Sequence, residues 1–333
     1  MQTSYYLTGA AGYLGQWIAR ELIAQGKTVR GLVLPGDLLA DHLPAEVERV
    51  QGNILKPDDI ERFLEANEQR ERVVIHCAGM ISMSLQPDQR VYAINVVGTK
   101  NMLAACERLQ VRKFVYISSV HALPVKPRGQ TIHESKLFLP QAMIGAYAQT
   151  KAEASNLVFA AAARGLPACM IHPSGICGPG DYIGGHLTQM FIEYSKGQII
   201  AGVEGGYSFS DVRDVAKAAV SAADKGEAGE GYIVASHFVT VREIFSLLRD
   251  EVGGKEVKHM LPVWAAGFLL PFLSLSYKLR HKKAVFSRYA IFTLNSNGDF
   301  SNHKARTVLD FAPRPFNETV HDTVLWLRQE GRI

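Results

Sequence analysis

Tyr147 and Lys151 stand four residues apart at the start of an alanine-rich run with helical character. At that spacing their side chains lie one turn above each other on one helical face. A phenol so placed can exchange a proton with a substrate oxygen, and the neighbouring ammonium would stabilise the phenolate and draw its pKa down toward neutrality. Upstream, Ser118-Ser119-Val120-His121 closes the apolar run Phe114 to Ile117, which reads as a strand. In an open parallel sheet ligands lie outside the carboxyl ends of the strands, so Ser119 would point its hydroxyl at the same oxygen. The other reading of these serines is a pair that caps the loop. Y-x-x-x-K alone is common on solvated helices; it gains weight from its partners elsewhere in the chain.

The first partner is Thr8-Gly9-Ala10-Ala11-Gly12-Tyr13-Leu14-Gly15, a turn with glycines three residues apart. It lies between the short apolar run Tyr5-Tyr6-Leu7 and a helical pattern carried by Trp17, Ile18, Leu22 and Ile23. Gly9 allows the tight reversal, Gly12 lets a pyrophosphate meet bare backbone, and Gly15 seats the helix on the sheet. The phosphates would sit at the helix N-terminus, where free amides and the helix dipole favour an anion. A strand follows from Thr28 to Leu34, whose end meets the adenosine ribose in a dinucleotide fold. Neither an acidic residue nor an arginine is there: Leu34 takes the place, Arg30 precedes it and Asp37 follows. The cofactor is read as NAD(H) or NADP(H), leaning to NAD because no cation stands between Gly31 and Glu48.

The elements that must position these groups follow in order. Val50 to Leu55 reads as a third strand and its exit, with Asn53 either bonding an adenine edge or capping a turn. Arg72 to Gly79 is a buried strand ending in Cys77, Ala78 and Gly79, small residues that let the backbone touch the cofactor; His76, inside it, reads as a packed core histidine. Asn95-Val96-Val97-Gly98-Thr99 opens a helix, Leu166 to Pro173 is a sixth strand, and Ser174 to Asp181 is a glycine-proline exit loop toward the substrate side. Ser210 to Ala216 begins a returning helix and Gly231 to Val234 adds a last strand. Strands alternating with helices predict an α/β fold, a doubly wound parallel (Rossmann) sheet with a smaller C-terminal α/β substrate domain. The expected division is 1–173 plus 207–236 for the dinucleotide domain and 174–206 plus 237–333 for the substrate domain.

Composition narrows the functional classes. The 333 residues are 47% hydrophobic and 20% charged, with a net charge of +4 spread along the chain. With no basic run and no nucleic-acid motif, a nucleic-acid partner is not expected. Cys77, Cys106, Cys169 and Cys177 lack C-x-x-C spacing and read as reduced thiols of a cytoplasmic protein, and no metal site is expected. No signal peptide is visible, since the chain enters a strand almost at once. The stretch Leu261 to Leu273, followed by Lys278, Arg280, Lys282 and Lys283, is read as an apolar helical lid over a lipophilic ligand, with contact to a membrane surface as the minor alternative.

Taken together, T-G-A-A-G-Y-L-G, N-V-V-G-T, S-S, Y-A-Q-T-K and G-P-G-D, in this order, resemble the extended short-chain dehydrogenase/reductase superfamily over nearly the whole chain. His172 to Asp181 and Phe300 to Ala305 before Leu309-Asp310-Phe311 look most like its 3β-hydroxysteroid dehydrogenase and dihydroflavonol reductase branches. The resemblance implies that Tyr147 is the general acid/base, that Ser119 bonds the substrate oxygen, and that Lys151 binds the nicotinamide ribose while tuning Tyr147. It implies cofactor contacts at Gly9, Ala11, Gly12, Tyr13, Leu14, Gly15, Arg30, Asn53, Ile54, Cys77, Ala78, Gly79, Asn95, Tyr147, Lys151, Pro173, Gly175 and Ile176. Substrate contacts are expected from the loop residues Ser82, His121, Tyr182 and Tyr207. A homodimer is the family-level expectation. Two departures stand out: His172 replaces a usual arginine and Leu34 replaces the arginine of many NADP users; Gly175 stands where nucleotide-sugar epimerases and dehydratases commonly carry an asparagine. The leading function is hydride transfer between nicotinamide and a secondary alcohol or ketone carbon of an apolar small molecule. The alternatives are a nucleotide-sugar epimerase or dehydratase using the same triad, and a non-catalytic dinucleotide sensor, a class that typically loses the tyrosine-lysine pair.

Overall fold

A computed structural model describes residues 3–65, 70–268 and 288–333. Its centre is a seven-stranded sheet built from β1 (Thr3–Thr8), β2 (Thr28–Val33), β3 (Glu48–Gln51), β4 (Glu71–His76), β5 (Lys113–Ile117) and β6 (Ala168–Pro173), joined by a late strand, Gly231–Val234. The order across the sheet is Gly231–Val234, β6, β5, β4, β1, β2, β3, and every pairing is parallel. The direction of winding therefore reverses between β1 and β4, the position at which such sheets bind ligands.

Strand periodicity explains the layering. Side chains alternate between faces, so Tyr5, Leu7, Val73, Ile75, Val115 and Ile117 enter one core while Tyr6, Val74, Phe114 and Tyr116 enter the other. The helices are α1 (Tyr13–Ala24), α2 (Pro57–Leu64), α3 (Gln89–Tyr92), α4 (Gly98–Arg108), α5 (Ala146–Ala163), α6 (His186–Ser195), α7 (Val212–Lys225) and α8 (Val241–Val252). The first core is closed by α1 and α7, and the second by α2, α4 and α5.

A third core joins α6 and α8 to the C-terminal helix Phe316–Gln329 through Phe191, Phe245, Leu248, Val320 and Leu327. It backs a small sheet in which Gly206–Asp211 pairs in parallel with Gly175–Cys177 and antiparallel with His237–Thr240. One part of the expected division packs otherwise: Ala305, Leu309 and Phe311 enter the first core, so the helix His303–Leu309 sits on the dinucleotide side. Only the start of the 261–283 stretch falls within the described residues. There Ala266 is buried with Val203 and Ile291, while Trp264 and Phe268 are exposed; the remainder, from 269, lies outside the described residues. Among the described residues no helix is long and apolar enough to cross a membrane.

Candidate active site

The glycine turn is tight because its glycines have no room for anything else. Gly9 sits at φ +66, and a Cβ there would lie 2.7 Å from the Ala78 amide nitrogen. At Gly15 a Cβ would lie 2.0 Å from the Gly9 carbonyl oxygen, so the first turn of α1 rests directly on the loop. Gly12 caps α1 with no side-chain hydrogen bond, which leaves the leading amides for a ligand. Ala11 and Leu14 are buried in the first core, and Tyr13 donates its hydroxyl to the Gly178 carbonyl at 2.7 Å.

A neutral histidine ties this turn to the next strand end. His76 is fully buried, and burial drives its pKa down to about 3. Thr99 donates to the Asn95 carbonyl at 2.6 Å, so its oxygen accepts from His76 Nε2, at 3.1 Å. His76 Nδ1 then accepts from Thr8 Oγ1 at 2.7 Å, and the same oxygen accepts the Ala78 amide at 3.2 Å. His76 is thus a core residue, as its place within the strand implied, and it fixes Thr8, Ala78 and Asn95 together. Asn95 lies on a π-helical turn, a feature frequent at functional sites. Its amide bridges Met80, which it both donates to and accepts from, and donates to Thr150.

Lys151 reaches this junction from α5. Its ammonium donates to the Ile117 carbonyl at 2.7 Å and lies 4.9 Å from the Tyr116 ring centre. A Cβ on Gly79 would sit 3.2 Å from its Nζ, so a larger residue there would crowd the ammonium. Burial lowers the Lys151 pKa to about 8. Cys77 is half-buried beside it, with burial pushing the thiol up to about 12. Tyr147, one turn earlier, is half-buried, and the nearby Ser119 hydroxyl favours its phenolate. Its phenol differs from the expectation of a pKa drawn toward neutrality: burial pushes it up to about 12, and Ser119 only partly opposes this. Lys151 directs its ammonium to the Ile117 carbonyl and the Tyr116 ring.

Beyond Tyr147 stands an aromatic wall. The His121 ring is 6.1 Å from that of Tyr147 and 5.7 Å from that of Tyr207, and Tyr207 packs edge-on against Phe209. The His121 amide donates to Ser119 Oγ at 3.2 Å, so the serine caps its loop. Tyr289, on the helix Arg288–Leu294, completes the wall 5.8 Å from His121. Sequence reasoning passed over Tyr289 and Phe209: each looks like one more core aromatic, and nothing local says which face of its element meets the site.

The remaining expected residues divide clearly. Pro173 ends β6, and Gly175 and Ile176 begin the small sheet; a Cβ on Gly175 would collide with Phe209 and Tyr207 at 2.8 Å each. Ser82 accepts the Ser84 amide in a loop whose Ser84 carbonyl receives the Ala146 amide at the start of α5. Asn53 accepts the Leu55 amide at 2.9 Å, the turn-capping alternative, while Ile54 is buried in the second core. Arg30 is not brought to the strand ends: mid-strand in β2, it pairs with Glu48 at 3.3 Å and donates to the Arg62 carbonyl. Tyr182 is not brought to the wall either. It stacks on His42 at 3.5 Å and packs against Trp326, because Tyr13 and Trp17 hold the carbonyls of Gly178 and Pro179 and so pin its loop to α1. Among the described residues no cluster could hold a metal ion.

The chain is 28% identical over 330 residues to sterol demethylase protein B of Methylococcus capsulatus, covering 98% of this chain and 99% of that one. It is 29% identical over 268 residues to a putative dihydroflavonol 4-reductase of Synechocystis, covering 79% and 77%. The solved structure of gox2253 superposes with a TM-score of 0.85 at 27% identity, covering all of both chains. The NAD dependent epimerase/dehydratase family matches residues 5–235, which contain the glycine turn, Ser119, Tyr147 and Lys151, and this chain belongs to that family, the extended short-chain dehydrogenases/reductases.

Proposed function

We propose that the protein is an NAD(P)-dependent oxidoreductase of a secondary alcohol or ketone on an apolar small molecule, with Tyr147 as its general acid/base. The observation that carries this is the aromatic wall of His121, Tyr207 and Phe209 beside the Tyr147 phenol, whose pKa the nearby Ser119 hydroxyl lowers. The turn fits a dinucleotide: Gly9 and Gly15 let the loop and the first turn of α1 close on each other, and the leading amides of α1 have no side-chain cap. In this reading Gly9, Ala11, Gly12, Tyr13, Leu14 and Gly15 hold the pyrophosphate, and Cys77, Ala78, Gly79, Asn95, Lys151, Pro173, Gly175 and Ile176 surround the nicotinamide end. When bound, the cofactor supplies the hydride donor or acceptor. The chain does the rest: Ser119 and Tyr147 bond the substrate oxygen, Tyr147 gives or takes its proton, and Lys151 holds positive charge beside the developing phenolate.

An apolar substrate is supported by Gly175. Nucleotide-sugar enzymes of the family carry asparagine there, but in this chain Tyr207 and Phe209 occupy the space that side chain would need. Relatives named for sterol and flavonol chemistry agree with a ring-bearing apolar ligand. NAD is the preferred form in this reading: Leu34 is exposed at the end of β2, Arg30 is engaged elsewhere, and the Asp37 carboxylate caps a turn at Leu39. We extend the reading to a cytoplasmic homodimer in which 1–173 plus 207–236 bind dinucleotide and 174–206 plus 237–333 substrate, with 303–311 seated on the dinucleotide side.

Gly175→Asn is expected to lower kcat/KM by about tenfold or more through displacement of Tyr207 and Phe209, an overpacking effect. Steady-state kinetics with an apolar ketone check it, and unchanged kcat/KM would remove the aromatic wall from the argument. The function itself is tested by incubating an apolar ketone with reduced cofactor deuterated at the transferring carbon. Deuterium on the product carbinol carbon is expected; turnover of a nucleotide sugar with no net cofactor oxidation would favour the epimerase reading instead.

A further inference from the structure

We propose that Tyr207 is a specificity residue, its hydroxyl proton kept free by a one-way hydrogen-bond chain from Tyr289 through His121, and that it binds a second oxygen on the substrate. The inference rests on the oxidoreductase reading above and names the substrate class more closely: an apolar ring ketone or secondary alcohol with another oxygen a few bonds from the reacting carbon.

The chain of bonds has a direction because its members differ in burial. His121 sits between two phenols, with Nε2 2.7 Å from Tyr207 Oη and Nδ1 3.3 Å from Tyr289 Oη. A neutral imidazole carries one N–H and one lone pair, so it donates to one phenol and accepts from the other. Burial holds His121 neutral at ordinary pH, with its pKa near 4. Tyr289 is only 3% exposed, and among the described residues the acceptor within reach of its hydroxyl is His121 Nδ1. A buried O–H left without an acceptor costs about 1–3 kcal/mol, so Tyr289 donates to Nδ1. His121 must then carry its proton on Nε2 and donate it to the Tyr207 oxygen. The Tyr207 proton is left over, on a half-buried ring that stacks on His121 at 16° and backs onto Gly175. The His121 ring neighbours both Tyr207, at 5.7 Å, and Tyr147, at 6.1 Å, which sets the free proton within the span of a ring substrate held by Ser119 and Tyr147. A hydroxyl with its acceptor side filled and its donor side open selects an oxygen acceptor and gives nothing to a hydrocarbon edge.

Two measurements decide it. The first reads the His121 ring directly by long-range proton-nitrogen correlation on the full chain, with His121→Gln assigning the signal among the 11 histidines. A protonated Nε2 and a bare Nδ1 are expected, and Tyr289→Phe should remove that preference; the opposite tautomer in the wild-type chain would overturn the proposal. The second compares kcat/KM for 1-tetralone with that for 2-, 3- and 4-hydroxy-1-tetralone. At least one hydroxylated ketone should be preferred, and Tyr207→Phe should lower that preference ratio by about tenfold, the loss of one hydrogen bond. An unchanged ratio would overturn the role of Tyr207. If the wild-type chain reduces none of these ketones, the role of Tyr207 falls, whereas the oxidoreductase reading falls only if no apolar alcohol or ketone is turned over at all.

Discussion

Tyr147→Phe is expected to lower kcat/KM by about a hundredfold or more, the usual contribution of a positioned general acid/base. The ring and its burial are retained, so cofactor affinity should change little and the loss should appear in kcat. The pH dependence makes the test sharper. Burial pushes the Tyr147 phenol up to about 12 and the Lys151 ammonium down to about 8, so at neutral pH the phenol is protonated and the ammonium charged. Ketone reduction needs the phenol protonated: its kcat/KM should be flat through neutrality and fall only on the alkaline side. Alcohol oxidation needs the phenolate, so its kcat/KM should rise with pH over the same range. His121, near 4, contributes no limb above pH 5 or so. The limb that belongs to the phenol should vanish in the Phe variant, leaving only the change near pH 8 that Lys151 causes. A Phe variant of full activity with an unchanged profile would remove Tyr147 from the chemistry.

Gly15→Ala should weaken cofactor binding by about a hundredfold or more, equivalent to about 2.7 kcal/mol. The methyl group would lie 2.0 Å from the Gly9 carbonyl oxygen and 2.8 Å from that of Ala10, both backbone atoms. Neither can swing aside as a side chain can, so α1 must lift from the turn and carry its free amides away from the phosphate position. Titration of NAD binding by calorimetry checks this. Gly26→Ala is the control: that glycine also has a positive φ, +68, but nothing lies within 4 Å of its added Cβ. It should cost some stability and leave cofactor affinity alone. Equal losses in the two variants would mean that the collision at Gly15 is not what shapes the turn.

The parts of this molecule that were legible in the sequence are those in which a local pattern has a local cause. Glycine spacing reports a backbone collision, as at Gly9 and Gly15, and alternation along Tyr5, Tyr6 and Leu7 reports a sheet buried on both faces. The Tyr147 and Lys151 spacing likewise needs only a helix, and α5 supplies it. What escaped depends on long-range placement. Tyr182 looked like a substrate residue because it follows the exit loop, yet Tyr13 and Trp17, more than 160 residues earlier, hold that loop against α1. Tyr289 was invisible for the converse reason: its partner, His121, is 168 residues away, and no pattern around position 289 records the contact. The phenol's pKa was misjudged because helical spacing gives proximity, whereas burial, which pushes it up, is not written in spacing.

The central claim is that this chain passes a hydride between nicotinamide and an apolar alcohol or ketone. The most direct test is the absorbance of reduced nicotinamide when the purified protein meets NAD or NADP with sterol-like alcohols, flavonoid alcohols and nucleotide sugars. Net accumulation with an apolar ring alcohol, faster with NAD than with NADP, is the predicted result. Conversion of a nucleotide sugar with no net reduced cofactor, and no signal from any apolar alcohol, would contradict it.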